Sequence, residues 1–265
     1  MNYTGLTGNP RHDKLIALVI SNGYISNEEL ASQLGVTTQT IRRDIRALSQ
    51  QGLVSRHHGG AGKIPSLINT DFSIRETTHI EEKKLIAQAI ADYIPDGSTI
   101  FITIGTTVEY IAKALENKNN IRIITNSLRV ANSLYQNKNL EVITVGGIVR
   151  SHNSGIVSPD ALTFISHFRA DYLITSVGAI AEDGTLLDFD INEVSMVKAM
   201  KANSKKVIVA LDRSKFFTSA AVELLNLKDV SDIFTDDLPP VSIINMIKQH
   251  KVKLHIAKGE KTDIV

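Results

Sequence analysis

A glycine joins two helical segments near the start of the chain, and this arrangement constrains the fold more than any other feature. Ser26 opens the sequence S-N-E-E, and Glu29 three residues later completes the pattern of a helix-starting capping box. Gly35 predicts the end of that helix, because glycine takes the left-handed C-cap conformation at no steric cost. Thr37 predicts the N-cap of the next helix. The buried stripe of that next helix is predicted from spacings of four and three: Ile41, Ile45 and Leu48.

The opposite face of this last helix is polar and basic, and a short basic hairpin follows it. A core-packed helix over residues 11–20, a helix from Ser26 to Gly35 and this polar-tipped helix form a helix-turn-helix pattern. Residues 53–56 and 60–64 read as the two strands of a small wing around residues 57–59. The predicted contacts to base edges and phosphates are Thr38, Gln39, Thr40, Arg42, Arg43, Arg46, Arg56, His57 and His58. The alternative is a solvated helix face followed by a plain turn.

Charge is distributed unevenly along the chain. The 265 residues have a formal net charge of only +1. Residues 1–64 contain seven Lys/Arg and four Asp/Glu, a net charge of +3, so the remainder carries −2. Positive charge therefore lies where a polyanion would bind, which favours double-stranded DNA as a partner of the N-terminal part.

Composition excludes several other classes of protein. There is no cysteine, so disulfides and cysteine-based zinc sites are impossible. No apolar run approaches the roughly 20 residues of a membrane span, and the first residues lack the pattern of a signal peptide. We therefore expect a cytoplasmic protein without a membrane, metal or cofactor requirement.

The rest of the chain alternates strand-like runs with helical segments. The predicted strands are residues 98–104, 121–125, 140–145, 172–177, 206–211 and 230–235. Such alternation predicts an α/β domain with a mostly parallel sheet, and ligands of such sheets bind at the carboxyl ends of the strands. An amphipathic helix over residues 81–93 precedes these strands and is expected to pack either on this domain or on a second subunit.

Three consecutive strand-end loops carry groups that suit a phosphate. Each combines glycines or hydroxyls with a helix start or an arginine, which supply N–H donors, a favourable helix dipole or bidentate recognition. The candidates in these loops are Gly105, Thr106, Thr107, Asn126, Ser127, Gly146, Gly147 and Arg150. Each loop alone could be a plain strand-to-helix turn, but three together favour a phosphate-bearing ligand.

At this point the chain resembles a known family. Residues 37–48, T-T-Q-T-I-R-R-D-I-R-A-L, and residues 53–61, L-V-S-R-H-H-G-G-A, resemble the DeoR family of bacterial transcriptional repressors. The resemblance runs nearly the whole chain and is closest to the branch that contains the glycerol-3-phosphate regulon repressor, notably in R-H-H-G-G-A and F-D-I-N-E-V. The family's recurrent motifs I-G-T-T, T-N-S-L, G-G-x-x-R and D-x-S-K-F stand at residues 104–107, 125–128, 146–150 and 212–216.

The resemblance implies a repressor with two parts. It implies a winged helix-turn-helix over residues 1–64, with the helix-turn-helix itself at about 28–47, and an effector sensor over 81–265 whose fold is similar to sugar-phosphate isomerases. Residues 65–80, between these two parts, are polar with little periodicity, which predicts a linker. It adds Gly178, Glu193, Asp212 and Lys215 to the effector cleft. It also implies relief of repression by a phosphorylated sugar or related metabolite, and a homo-oligomer, dimer or tetramer, on the operator.

The sequence departs from the family at the cleft. Thr103 stands where an Asp is usual, and Ser158, Ser176, Ala179 and Phe217 stand where the family tends to have glycine. The larger side chains predict a narrowed or reshaped cleft. Two alternatives remain: a C-terminal domain that only mediates assembly, and a sugar-phosphate isomerase, for which the loss of the Asp at position 103 removes one candidate base. Asp190, Glu193 and Lys215 remain as candidate bases for that second alternative. The leading expectation is a repressor with no enzymatic activity and no catalytic residue.

Overall fold

The N-terminal part folds as three helices and a three-stranded wing. The computed structural model describes residues 7–51, 53–62, 72–258 and 261–264. The elements of this part are α1 (Pro10–Asn22), β1 (Tyr24–Ser26), α2 (Asn27–Leu34), α3 (Thr38–Gln50), β2 (Ser55–His57) and β3 (Gly60–Gly62). β3 pairs antiparallel with both β1 and β2. The predicted helix-turn-helix and wing are confirmed, while Lys63 and Ile64 of the predicted second wing strand lie outside the described residues.

Local signals set the helix boundaries in this part. The Ser26 hydroxyl accepts from the Glu29 N–H at 3.1 Å, and a Glu29 carboxylate oxygen accepts from the Ser26 N–H, which completes the predicted capping box. Gly35 has φ +65° and ψ +34°, the left-handed conformation predicted for it. The Thr37 hydroxyl accepts from the Thr40 N–H. The three helices and the wing share one buried core: Leu15, Ile16, Val19, Ile25, Leu30, Ile41, Ile45, Leu48, Val54 and Ala61.

A short helix, α4 (Phe72–Thr77), lies inside the segment that the sequence predicted as a linker. The preceding linker residues 65–71 lie outside the described residues. Phe72 is only 5% exposed, and the guanidinium of Arg129 lies over its ring at 5.2 Å. Glu76 forms an ion pair with the same arginine. The apolar anchor and the ion pair hold α4 against the C-terminal domain.

The C-terminal domain is built on an eight-stranded sheet. Its strands are β4 (Thr99–Ile102), β5 (Ile121–Thr125), β6 (Leu140–Thr144), β9 (Ala170–Ser176), β12 (Ser204–Ala210), β14 (Asp232–Thr235), β15 (Lys253–Lys258) and β16 (Lys261–Ile264). The order across the sheet is β16-β15-β14-β12-β9-β4-β5-β6, parallel except for the antiparallel edge strand β16. All six predicted strands are present, so the expected α/β fold is confirmed.

Helices cover both faces of this sheet. They are α5 (Ile80–Tyr93), α6 (Thr106–Ala114), α7 (Leu128–Leu134), α8 (Pro159–Ser166), α9 (Ile191–Ala202) and α10 (Val241–Gln249). Alternate residues of each strand point to opposite faces, so Phe101 joins one buried core and Ile100 the other. The predicted helix over residues 81–93 packs in the second of these cores through Ile86 and Ile90.

Short strands and turns complete the domain at the carboxyl edge of the sheet. β7 (Ile148–Val149) pairs with β8 (Ile156–Val157), and β10 (Ala179–Ile180), β11 (Thr185–Asp188) and β13 (Val222–Asn226) form a small antiparallel sheet. Single 3₁₀ turns span Leu115–Asn117, Arg213–Phe217 and Leu227–Asp229. In the part of the chain that the structure describes, no helix is long and apolar enough to cross a membrane.

Candidate nucleic-acid interface and ligand cavity

The basic face of α3 and the wing form one groove. Ile41, Ile45 and Leu48 are at most 2% exposed, which turns the opposite face of α3 to solvent. The groove has a volume of about 500 Å³ and its lining brings together seven of the nine predicted DNA contacts: Gln39, Arg42, Arg43, Arg46, Arg56, His57 and His58. Asn27, which the sequence did not single out, also lines it. No acidic side chain is among these lining residues, so the groove carries the charge expected of a phosphate-binding surface.

Thr38 and Thr40, the other two predicted contacts, lie at the start of α3 beside the groove lining. The Thr40 hydroxyl is 3.0 Å from the Thr37 hydroxyl, and the Thr40 N–H donates to that same oxygen. Thr40 therefore takes part in the helix cap. Its contact with DNA remains a prediction.

His57 differs from its neighbours in the wing. Its ring packs edge-on against Tyr24, with ring centroids 5.9 Å apart, and burial lowers the pKa of His57. The neutral ring is thus favoured near pH 7, and a neutral ring neutralises no phosphate. The side chains of Arg56 and His58 are exposed, so they are better candidates than His57 for a contact with a DNA phosphate.

Asp44 anchors α3, whose exposed face is basic, to α1. Its carboxylate is 6% exposed and accepts from Arg11 Nε at 2.7 Å and from His12 at 3.1 Å. Burial alone would raise the pKa of Asp44, but the bonds from Arg11 and His12 hold it below its usual value. Arg11 is therefore occupied in holding α1 to α3 rather than in extending the basic groove.

A second, smaller cavity lies at the carboxyl edge of the large sheet. The strand order places β4, β9 and β12 side by side, so the loops after these three strands meet. The cavity has a volume of about 100 Å³ and contains five of the predicted effector contacts: Thr106, Thr107, Gly178, Asp212 and Lys215. Ser176, one of the residues that replace a family glycine, lines it too.

The cavity is built to attract an anion. Thr106 and Thr107 open α6, and no side chain caps this helix N-terminus, so its N–H groups and dipole are directed at the cavity. Three cationic side chains line the same space: Arg75, Lys83 and Lys215. Asp212 is buried at 1% exposure and forms hydrogen bonds with the N–H and hydroxyl of Ser214. Although burial alone would raise it, Lys215, His79 and Ser214 hold the pKa of Asp212 below its usual value.

Lys83 is the most buried of these cations. It is 3% exposed, and its Nζ donates to the carbonyl oxygens of Arg75 and of Thr78, the latter at 2.7 Å. Burial lowers the pKa of Lys83 to about 8. The ammonium therefore ties α5 to the end of α4 and places a positive charge at the cavity floor.

Sequence reasoning missed Arg75, His79 and Lys83. All three line the cavity, and they stand four residues apart along the chain. That spacing is visible in the sequence, but Arg75 and His79 fall in the segment predicted as a linker, and Lys83 falls in the helix predicted over residues 81–93. The basic residues at regular spacing were the only available signal.

Seven predicted effector contacts are not among the residues that line this cavity. Gly105 precedes α6, Asn126 and Ser127 follow β5, and Gly146, Gly147 and Arg150 lie in the β6–β7 region. Arg150 forms ion pairs with Asp190 at 2.5 Å and with Glu193, the seventh predicted contact, at 2.8 Å. For the residues that follow β5 and β6, the physical reason is the strand order, because these strands lie outside β4, on the side away from β9. An effector role for these seven residues stays a prediction.

The five departures from the family pattern are also separated in space. Ser176 lines the cavity, whereas Ser158 caps α8 by accepting from the Ala161 N–H and Ala179 is buried in β10. The side chain of Phe217 lies outside the described residues. Thr103, at the position of the usual Asp, is 2% exposed and donates to the Thr175 hydroxyl at 3.0 Å.

These features define a winged helix-turn-helix joined to an α/β domain with a basic cavity. A family model described as the DeoR-like helix-turn-helix domain matches residues 11–66, and one described as the DeoR C-terminal sensor domain matches residues 78–237. The chain belongs to the DeoR family.

Individual relatives agree with this assignment. The chain is 56% identical over 254 residues to the HTH-type transcriptional repressor CsqR of Escherichia coli, covering 96% of this chain and 97% of that protein. It is 44% identical to the glycerol-3-phosphate regulon repressor of Escherichia coli, covering 93% and 98%. Among solved structures, ribose-5-phosphate isomerase A from Neisseria gonorrhoeae matches with a TM-score of 0.42 and 13% identity, over 71% of this chain and 97% of that one.

Proposed function

We propose that this DeoR-type repressor binds operator DNA through the groove of α3 and the wing, and that a phosphorylated sugar or related metabolite in the cavity relieves repression. The observation that carries the DNA half is the groove itself, where four arginines converge from two elements without an acidic neighbour in the lining. Gln39, near the start of α3, is placed to meet base edges, and Arg42, Arg43, Arg46 and Arg56 are placed to meet phosphates or guanine edges.

The effector half rests on the chemistry of the cavity. The cavity is lined by an uncapped helix N-terminus, two threonine hydroxyls and three cationic side chains. Among the described residues that line it, Asp212 is the one carboxylate. A dianionic phosphate group is the ligand that such a set of donors favours. The name of one relative, the glycerol-3-phosphate regulon repressor, supports a phosphorylated metabolite as the effector class.

A panel of ligands tests the effector. Glycerol 3-phosphate, ribose 5-phosphate, fructose 6-phosphate and inorganic phosphate would be screened by thermal shift, and any stabilising compound measured by calorimetry. We expect a stabilising sugar phosphate whose binding is lost in Lys215→Ala and retained in Lys198→Ala, which removes an exposed lysine outside the cavity. A flat response across the panel would instead favour a C-terminal domain that serves assembly alone.

The DNA half is tested separately. A duplex selected from a random pool by the purified chain would be titrated with the protein, and we expect binding whose affinity falls steeply with salt. Two-fold operators require paired half-sites about 34 Å apart or multiples of that spacing, so we also propose that the chain acts as a homo-oligomer. Light scattering of the free chain and of its complex with the duplex measures the stoichiometry.

We propose no enzymatic activity. Thr103 offers a hydroxyl, bonded to Thr175, at the position where a carboxylate is usual in the family. The relatives with high identity are named as repressors. Turnover of ribose 5-phosphate above the background rate would contradict this part of the proposal.

A further inference from the structure

One wall of the small cavity belongs to the DNA-binding domain. Gly23, which ends α1, lines the cavity together with residues of the sensor domain. A Cβ atom built on Gly23 would lie 2.8 Å from the Cβ of Ser214, closer than two such atoms approach in folded proteins. The backbone of the DNA-binding domain at Gly23 therefore packs directly against the side chain of Ser214 in the lining of the proposed effector site.

The segment that receives this contact faces both domains. Asp212, Ser214 and Lys215 line the cavity, whereas Arg213 lies between the two domains. Its guanidinium is 3.7 Å from Glu29 of α2 and 3.6 Å from Asp237. Residues 212–215 thus connect the cavity floor to the helix that precedes the DNA-reading helix.

The size of the cavity limits what can enter while the domains are in contact. Its volume of about 100 Å³ is well below the roughly 300–1,000 Å³ of typical small-molecule pockets. A phosphate group is small enough for such a space, but a whole sugar phosphate requires one wall to move.

The walls differ in how firmly they are held. Thr106, Thr107, Ala210 and Asp212 are at most 5% exposed and are continuous with the packed interior of the sheet domain. The contact with the DNA-binding domain is held by packing at Gly23 and by the Arg213–Glu29 pair, whose side chains are 27% and 44% exposed. Ion pairs at such exposure contribute about 0–1 kcal/mol. The wall formed by Gly23 is therefore the one that we expect to move when a larger ligand binds.

We propose that the DNA-binding domain closes the effector cavity, and that a ligand larger than a phosphate group displaces this domain as a rigid unit. This displacement rests on the proposed function of the cavity, and it explains how a ligand in the cavity would change the position of the DNA-binding groove. Gly23 is followed by β1, which pairs with wing strand β3, and Ile25 of β1 shares a core with Ile41 of α3. Displacement of Gly23 therefore carries the whole groove with it and reorients it relative to its copy in an oligomer.

Distance measurements between spin labels test the displacement. The chain has no cysteine, so Gln50→Cys in α3 and Lys138→Cys in the sensor domain, both at exposed positions, give two unique labelling sites. Labelled chain diluted in unlabelled chain reports only distances within one protomer. We expect inorganic phosphate to leave the distance distribution unchanged and ribose 5-phosphate to shift it.

Calorimetry on the same samples separates the two ways of failing. If ribose 5-phosphate binds and the distance distribution stays that of the free chain, the inference is overturned and the proposed effector stands. If no sugar phosphate of the panel binds, the proposed effector class fails, and the displacement is then decided by variants that need no ligand.

Two glycine substitutions test the contact between the domains without a ligand. Gly23→Ala introduces the clash with Ser214. Gly35→Ala is the control, because both glycines end helices at positive φ, +72° for Gly23 and +65° for Gly35. A Cβ on Gly35, however, meets nothing within 4 Å. We expect Gly23→Ala to shift the distance without ligand, Ser214→Gly added to it to restore the distance, and Gly35→Ala to leave it unchanged. A Gly23→Ala chain with the wild-type distance overturns the proposed contact.

Discussion

The basic residues of the N-terminal domain fall into two sets that make different contacts. Arg11 and His12 are bound to the buried carboxylate of Asp44, and these bonds hold α1 against α3. Arg42 and Arg43 have exposed side chains on the same helix and line the groove. The sequence alone does not separate these two sets, since each lies within a predicted helix of the same domain, α1 for the first set and α3 for the second.

The groove arginines lead to a prediction at this scale. Arg43→Ala is expected to weaken binding to the selected duplex and to reduce the slope of log affinity against log salt by about 1, because one phosphate contact is lost. Arg122→Ala, which removes an exposed arginine of the sensor sheet, serves as the control with unchanged DNA binding. Wild-type affinity and an unchanged slope for the Arg43 variant would remove this residue from the interface.

Lys83 predicts the pH dependence of effector binding. Its pKa in the folded chain is lowered to about 8 by burial, so the ammonium is present at pH 7 and is lost as the pH rises past about 8. Because neutral Lys83 offers no charge to a phosphate, the affinity for the stabilising sugar phosphate is expected to fall between pH 7 and pH 9. Binding near pH 8 should also take up protons, which calorimetry in buffers of different ionisation enthalpy detects. A flat affinity over this range would show that Lys83 does not face the bound anion.

Secondary-structure elements show what the sequence could and could not reveal. The N-terminal helices follow from local signals, because Ser26, Gly35 and Thr37 act on their own backbone within a few residues. The strands follow from apolar runs with turn residues between them. The order of the strands depends on packing between distant segments, and so the sequence could not tell that the β9 and β12 loops, rather than those of β5 and β6, meet the start of α6. The α4 segment is polar and weakly periodic, so its packing through Phe72 could not be predicted from the sequence, and Arg75 was missed.

The capping box supports a prediction at the element scale. Ser26→Ala removes the hydroxyl that accepts from the Glu29 N–H and is expected to lower the stability of the DNA-binding domain by about 1 kcal/mol. Ser32→Ala, an exposed position within the same helix, is expected to change it by less than about 0.5 kcal/mol. Scanning calorimetry of the full chain measures both variants on the transition of this domain. Equal effects from the two substitutions would contradict the role of the cap.

At the scale of the whole molecule, the two domains share a boundary at the cavity. The DNA-binding domain contributes Gly23 to the lining, and the sensor domain contributes Arg213 to the contact with α2. Coupling between two sites is reciprocal in free energy. If the sugar phosphate weakens DNA binding by a given factor, saturating duplex is therefore expected to weaken sugar phosphate binding by the same factor. Calorimetry of the ligand with and without the duplex checks this equality, and unequal factors would show that the DNA and ligand titrations do not describe one linked equilibrium.

The most direct test of the account is the affinity for the selected duplex measured with and without the stabilising sugar phosphate, at one fixed salt concentration. Fluorescence anisotropy of the labelled duplex gives both values, and Lys215→Ala supplies a chain in which the cavity is impaired while the groove is intact. The account predicts that the sugar phosphate weakens DNA binding by on the order of tenfold in the wild type and has no effect in Lys215→Ala. Equal affinities in the wild type, at a ligand concentration that saturates the cavity, would contradict it.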